Sequence, residues 1–468
     1  MARADLTQGP IPKLLKSLWL PAFVAMFLQS CYALVNLVFV RLLGDRAVAA
    51  HGITLHSFFI ILAIGQMVGT TSMADVSQAY GRGEVLRARR LFSAYTLVAL
   101  VLGIAASIAA WIFAKDYVDF LSDDPAVRPL GVAYFEANAP TFLFQLLIIV
   151  FSGAMRASGD FVLPMRIMIA SVLLNAALDP LLIFGFGPIP KMGIAGAGWA
   201  TVIAQMASCA TYAWLFLRKP KNTAEDAGSR RLSFGVPEWS RSLFSRIVTR
   251  GFPAGLQFFV VYITSGIIFI GVKPFGADWT GAASGGFRVL QQIWLPLVTL
   301  SMAAATLAGQ NYGAKKAERI RETASVAVRW GLLYGALAAI GTALLAPVLA
   351  WLGADSGGQQ YDNVIDYLRI GSPVLVAFAL TYVPTFILQA FGKTTLPLVA
   401  SLVRVAILAV FTFGFFRGSG WGVDALLVAM TLSSFIEGLV GYWFLRRFIG
   451  GLDFADQPLA VPSAVRAR

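Results

Sequence analysis

An aspartate and an asparagine one helical turn apart, inside an otherwise apolar run, are the residues of this chain best suited to chemistry. The segment reads Asn175-Ala176-Ala177-Leu178-Asp179-Pro180 and falls about midway along the run 164–187. At a spacing of four, Asn175 and Asp179 share one helix face. Pro180 has no amide hydrogen, so the Ala176 carbonyl lacks its i+4 donor and is free to tilt toward an ion or a water. A carboxylate, an amide oxygen and a loosened carbonyl make a set of hard oxygen ligands for a small cation. The same carboxyl group can instead carry a proton. A plainer alternative is an acid bonded to neighbouring hydroxyls that only holds a kink.

Other polar residues stand in comparable runs. Glu437, in Ser433-Ser434-Phe435-Ile436-Glu437-Gly438, lies nine residues before Arg446, too far along a helix for easy snorkelling. It can hold an ion or a cationic substrate, or be neutralised by a structural partner such as Arg288. Gln257, Gln291 and Gln292 are amides suited to lining a cavity, and Thr201 lies where the sixth apolar run can face the fifth. Asp75 falls near the end of the second run, within expected reach of water, as a candidate gate or loop contact. His51 and His56 have no Cys/His cluster beside them, so no metal site is expected. A subset of the many Phe, Met and Trp residues can wall a pocket for flat, lipophilic cations.

Long helices must position these groups. Of 468 residues, 58% are hydrophobic and 13% charged, too few polar residues to coat a soluble core of this size. The chain is therefore expected to lie in a lipid bilayer. Twelve apolar stretches are long enough to cross it as helices: 14–43, 49–72, 92–114, 130–154, 164–187, 195–217, 247–272, 281–308, 325–351, 363–391, 397–416 and 422–448. They do not alternate in polarity, as strands of a β-barrel would. The expected fold is all-α and polytopic, with twelve transmembrane helices in two pseudo-symmetric six-helix lobes.

The two lobes follow from a repeat. Pro21 in Leu-Pro-Ala recurs as Pro253 in Phe-Pro-Ala, Gly44 as Gly276, and Gln78-Ala79-Tyr80-Gly81 as Gln310-Asn311-Tyr312-Gly313. After a slip of one residue, Tyr134, Pro140, Gly159 and Pro164 meet Tyr367, Pro373, Gly392 and Pro397. Such long repeats suit a transporter of two parallel bundles and exclude a solenoid unit. The boundaries read as 1–217 for the first lobe, 218–246 for a polar linker, 247–448 for the second lobe and 449–468 for a tail. A basic lipid-binding patch in the linker is compatible with this reading.

Charge sets the orientation. Arg82, Arg87, Arg89 and Arg90 follow the second span, Arg156 and Arg166 bracket the fourth turn, and Lys315, Lys316, Arg319 and Arg321 follow the eighth. Asp116, Asp119, Asp123, Asp124, Asp355, Asp362 and Asp366 lie in the opposite loops. Positive-inside bias makes the basic side cytoplasmic, with both termini there, and the expected location is a bacterial inner membrane. The net charge of +13 sits in short loops, so no nucleic-acid partner is expected. Cys31 and Cys209 fall in separate spans, which suggests no disulfide. Leu28-Gln29-Ser30-Cys31 faintly resembles a lipoprotein cleavage box, but the apolar run continues through Val40, and its counterpart at 253 has no terminus to cleave. No Gly-x-x-x-x-Gly-Lys-Ser/Thr loop occurs, so neither an enzyme nor an ATP-driven pump is indicated.

Leu20-Pro21, Leu43-Gly44, Arg156-Ala157-Ser158-Gly159-Asp160, Asn175 to Pro180 and Gly309-Gln310-Asn311-Tyr312-Gly313-Ala314, in this order, resemble the multidrug and toxic compound extrusion (MATE) family over almost the whole chain. The resemblance implies a central cavity between two lobes and export of organic, often cationic, compounds in exchange for Na⁺ or H⁺, with no other cofactor and a monomeric protein. It also implies that Asn175 and Asp179 line the ion-coupling region, as in the DinF-like branch. Where many relatives carry an acid in the first span, this chain has Asn36, in Tyr32-Ala33-Leu34-Val35-Asn36. An amide can coordinate a cation but cannot release a proton near neutral pH. Asp179 then works alone, or Asn36 supplies an oxygen to Na⁺, or Asn36 bonds to a neighbouring helix, or coupling lies elsewhere. The seventh-span acid of the NorM-like branch is absent from Gln257-Phe258-Phe259-Val260-Val261-Tyr262. A lipid-linked precursor flippase of the same superfamily is the alternative, with a membrane-embedded enzyme or sensor further behind.

Overall fold

The computed structural model of the chain describes residues 5–217, 232–354, 357–416 and 420–453. Linker residues 218–231, Asp355, tail residues 454–468 and the side chains of Cys31 and His56 lie outside the described residues. The spans are α1 (Ile11–Arg41), α2 (Asp45–Gly81), α3 (Val85–Ile112), α4 in two segments (Arg128–Asn138 and Thr141–Ala157), α5 (Val162–Phe184) and α6 (Ile194–Leu217). The second set is α7 (Arg241–Phe275), α8 (Ala277–Gly313), α9 (Ala317–Leu344), α10 in two segments (Gln359–Gly371 and Val374–Ala390), α11 (Thr395–Phe416) and α12 (Val423–Gly450). Ten are long and apolar enough to span a membrane singly, and twelve if each bent pair is one span.

The repeat in the sequence is a repeat in space. Both α4 and α10 bend between their segments, by 43° and 55°, and the paired Pro140 and Pro373 stand at these breaks, where the missing N–H interrupts the helical ladder. Gly44 and Gly276 start α2 and α8 with φ of 100° and 99°, a left-handed conformation that a side chain would strain. Packing is duplicated too. In the first lobe α2 and α3 pack on α4, α1 on α5 and α5 on α6; in the second α8 and α9 pack on α10, α7 on α11 and α11 on α12.

Between the lobes α2 meets α8, flanked by α1 on α8 and α7 on α2. Leu15, Leu18 and Ala22 of α1 share a buried core with Ala303, Ala304, Leu307 and Ala308 of α8. Alanines there let the helix backbones approach closely. The lead-in to each lobe crosses to the other. Before α7, Phe234 stacks on Phe92 at 5.3 Å and the Gly235 amide donates to Ser93 Oγ at 2.9 Å. Before α1, Thr7 and Gly9 carbonyls accept from Lys316 Nζ at 2.8 Å and from Arg319 at 2.9 Å. α7 itself begins at Arg241, within the segment read as linker, and passes through a π-helical turn at Ile247–Gly251.

Candidate functional site

Three spans of the first lobe that pack on one another carry the predicted ion ligands. On α5, Asn175 and Asp179 are fully buried, and no hydrogen-bond partner meets either carboxylate oxygen of Asp179 or either amide atom of Asn175. On α1, the Asn36 amide donates to Thr201 Oγ1 of α6 at 3.3 Å while its own oxygen meets no donor. Thr201 donates in turn to the Ala197 carbonyl of its own helix at 3.1 Å, so its side chain faces α1, where the sequence had set it against α5. One turn before Asn36, the Tyr32 hydroxyl lies beside Thr201 and Asp179, and Tyr134 approaches Asp179 from α4. The His51 ring sits edge-on to Tyr134, with centroids 5.2 Å apart.

The unused capacity of this cluster is mostly that of acceptors. Hydrogen-bonding groups are rarely left idle in a protein interior, and a buried carboxylate without a partner is costly enough that it must be protonated or hold a cation. Asp179, Asn175 and Asn36 supply the oxygens for either. Among the described residues no cluster of three or more His, Cys, Asp or Glu could hold a transition metal.

Glu437 is paired with an arginine, one of its two expected settings, but the partner is not Arg288. Its partner is Arg404 of α11, at 3.1 Å, with Glu437 and Arg404 side chains only 5% and 13% exposed. Arg288 is exposed on α8, because α8 turns that face away from α12. Ser401 Oγ donates to the other Glu437 oxygen. Gln257 Nε2 donates to Ser401 Oγ at 3.2 Å, and Gln389 Nε2 donates to Gln257 Oε1 at 3.0 Å. Gln257 thus joins the polar chain, whereas Gln291 and Gln292 are exposed midway along α8 and make no part of it.

Asp75 is not open to water as its place near a helix end suggested. Its side chain is 7% exposed and accepts from Tyr95 OH at 2.7 Å, and it pairs with Arg246 at 2.8 Å and Arg250 at 3.2 Å. Both arginines belong to α7, so the pairing joins the lobes at the basic end. Two crossed bonds lie beside it. Gln78 of α2 donates to the Ala390 carbonyl that ends α10, and Gln310 of α8 to the Ala157 carbonyl that ends α4, each at 2.8 Å. A Cβ on Gly81 or Gly313 would collide with the carbonyl of Gln310 or Gln78 respectively, so the α2–α8 approach depends on both glycines.

Tyr32, Tyr134, Arg404, Ser401, Gln389, Arg246 and Arg250 enter these clusters without having been singled out in the sequence. Tyr32 shares a helix face with Asn36 by its spacing of four. Arg404 is an ionisable residue inside an apolar run, the same signal that marks Glu437. For the others the contacts link distant spans, and no local pattern announces them.

Comparison with known proteins matches this architecture twice over. The MatE family profile fits residues 21–181 and again 253–414, one match in each lobe. The chain is 23% identical to a FAD transporter of Shewanella oneidensis, over 95% of this chain and 96% of that one. It is 24% identical to the multidrug export protein MepA of Staphylococcus saprophyticus, over 90% and 91%. The fold is similar to that of a MATE protein solved in complex with MaL6, with a TM-score of 0.86 at 20% identity, covering 96% of this chain and 98% of that chain. With both lobes matched in order across most of its length, the chain belongs to the MatE family of membrane transporters.

Proposed function

We propose that the chain is a cation-coupled exporter of organic compounds, in which Na⁺ or H⁺ is taken up at Asp179 and substrate leaves by alternating access between the lobes. The observation that carries this reading is the buried, unpartnered carboxylate of Asp179, with Asn175 one turn away on the same helix and the idle oxygen of Asn36 on the span that packs against it. Relatives named for multidrug export support an organic substrate. The excess of basic loops at one end supports a cytoplasmic placement for that end and for both termini, in a bacterial inner membrane. The contacts that join the lobes there must break for the cavity to open inward. Ion binding drives export only if it changes the preference between the two states or weakens substrate binding, a coupling in free energy.

The test is transport in proteoliposomes under separately imposed Na⁺ and H⁺ gradients, comparing the parent with Asp179→Asn. The parent should accumulate substrate against its gradient under one of the two ions, and the variant should only equilibrate it. Undiminished ion-driven transport in Asp179→Asn refutes the assignment. Export of an anionic compound is a second reading. The similar Shewanella protein is named as a FAD transporter, and the observation favouring it is the guanidinium of Arg404 within the second lobe.

A further inference from the structure

We infer that Arg404 is the recognition group for the anionic moiety of an organic substrate, with Gln257 and Gln389 at its approach. The inference rests on the transport reading above and gives it a substrate class. Hydrogen-bonding capacity decides the polarity. Each oxygen of Glu437 already accepts a hydrogen bond, one from Ser401 and one from Arg404, and the guanidinium beside it would repel a cation. What is left over is a donor: the buried Nε–H of Arg404 meets no acceptor. The chain from Gln389 through Gln257 and Ser401 donates in one direction and ends at Glu437. The first lobe is the reverse, with idle acceptors around Asp179.

The repeat argues that the charges are not needed to hold the helices together. Arg404 and Glu437 stand where the first lobe has Ser171 and Ser208 by the matching of α11 with α5 and α12 with α6. Those two serines both donate to the Ala204 carbonyl, at 3.4 and 3.0 Å. Only the Ser171 bond crosses from α5 to α6, so neutral hydroxyls stand at this place in the first lobe, whereas a buried ion pair carries a desolvation cost that packing alone does not require. Arg404 is also the better placed of the pair to meet a ligand. It is more exposed than Glu437, and its guanidinium lies 5.9 Å from the centroid of the Phe378 ring, with Tyr382 adjoining at 5.4 Å between centroids. Phe378 itself is packed in the second-lobe core, so it backs the guanidinium, and the acidic group of a ligand is what the free donor would take.

The test compares two probes with the same ring. Full-length protein in lipid nanodiscs is titrated with FMN, which carries a phosphate, and with riboflavin, which does not, using quenching of flavin fluorescence. The parent should prefer FMN by about tenfold or more. Arg404→Gln should abolish that preference, Arg404→Lys should keep part of it, and Glu437→Gln should raise FMN affinity by removing the competing carboxylate. If Arg404→Gln does not fold, the double variant Arg404→Gln/Glu437→Gln leaves no buried charge unpaired and must also bind the two flavins equally. A parent without preference for FMN, or a preference that survives in the Arg404→Gln or double variant, overturns the inference. Asp179→Asn separates it from the coupling reading: that variant should lose ion-driven transport while keeping the FMN preference, and a preference lost there overturns the assignment to Arg404.

Discussion

Replacing Asp75 by asparagine should unlock the basic end of the transporter. The carboxylate sits almost fully buried between Arg246 at 2.8 Å and Arg250 at 3.2 Å, both on the far side of the lobe boundary. Hydrogen bonds to charged groups contribute about 1.5–3 kcal/mol each. Arg250 is 35% exposed and Arg246 20%, so solvent screens the first more than the second. An asparagine oxygen also keeps a weaker, neutral contact. The net loss from the closed state is about 2 kcal/mol, which moves an open–closed equilibrium about thirtyfold toward opening. Spin labels at Leu86 and Glu318, exposed near the starts of α3 and α9, report the separation of the lobes by pulsed electron resonance. Asp75→Asn should add a longer-distance population, and Tyr95→Phe, which keeps both ion pairs, should leave the distribution close to the parent's. An unchanged distribution in Asp75→Asn refutes the claim that this acid holds the lobes together.

Three further outcomes are expected. Gly81→Ala and Gly313→Ala each force α2 and α8 apart at a carbonyl and should cost about 1–3 kcal/mol in closed-state stability; thermal unfolding and the same label distances check this, and parent-like values in both variants refute it. Asn36→Asp places a second carboxylate on the span that packs against α5, and its added attraction should tighten binding of the coupling cation about tenfold, read from ion-dependent tryptophan fluorescence; an unchanged affinity means that Asn36 does not face the ion. Glu437→Ala strands the buried Arg404 and should destabilise by about 3–5 kcal/mol, with much of that loss recovered when Arg404→Gln is added. A thermal-unfolding cycle without such recovery would show that the two residues act independently.

The twelve spans were legible because each is a long apolar run, and the bends of α4 and α10 were marked by prolines in repeat register. Asn175 and Asp179 were legible for a local reason, since a spacing of four places them on one face whatever the fold. Asn36 and Thr201 could each be named as polar residues inside spans, but their bond joins α1 to α6 and depends on how far each helix is rotated. The same rotation explains why Glu437 meets Arg404 and not Arg288. Depth was misjudged for Asp75 because the start of α7 folds over it, and nothing near position 75 encodes that cover. Arg404 was within reach of the sequence, since a guanidinium in an apolar run is as anomalous as a carboxylate.

The crossed bonds of Gln78 with Ala390 and of Gln310 with Ala157 have the form of an isologous contact, in which one surface touches its own copy and is touched back. A single polypeptide has thereby kept inside itself the interface of a twofold dimer. Only the polar positions that have diverged between the halves, Asp179 against Thr412 and Arg404 against Ser171, give the two sides different work. With the sites proposed above, a symmetric frame would hold its cargo and its driving ion in opposite halves.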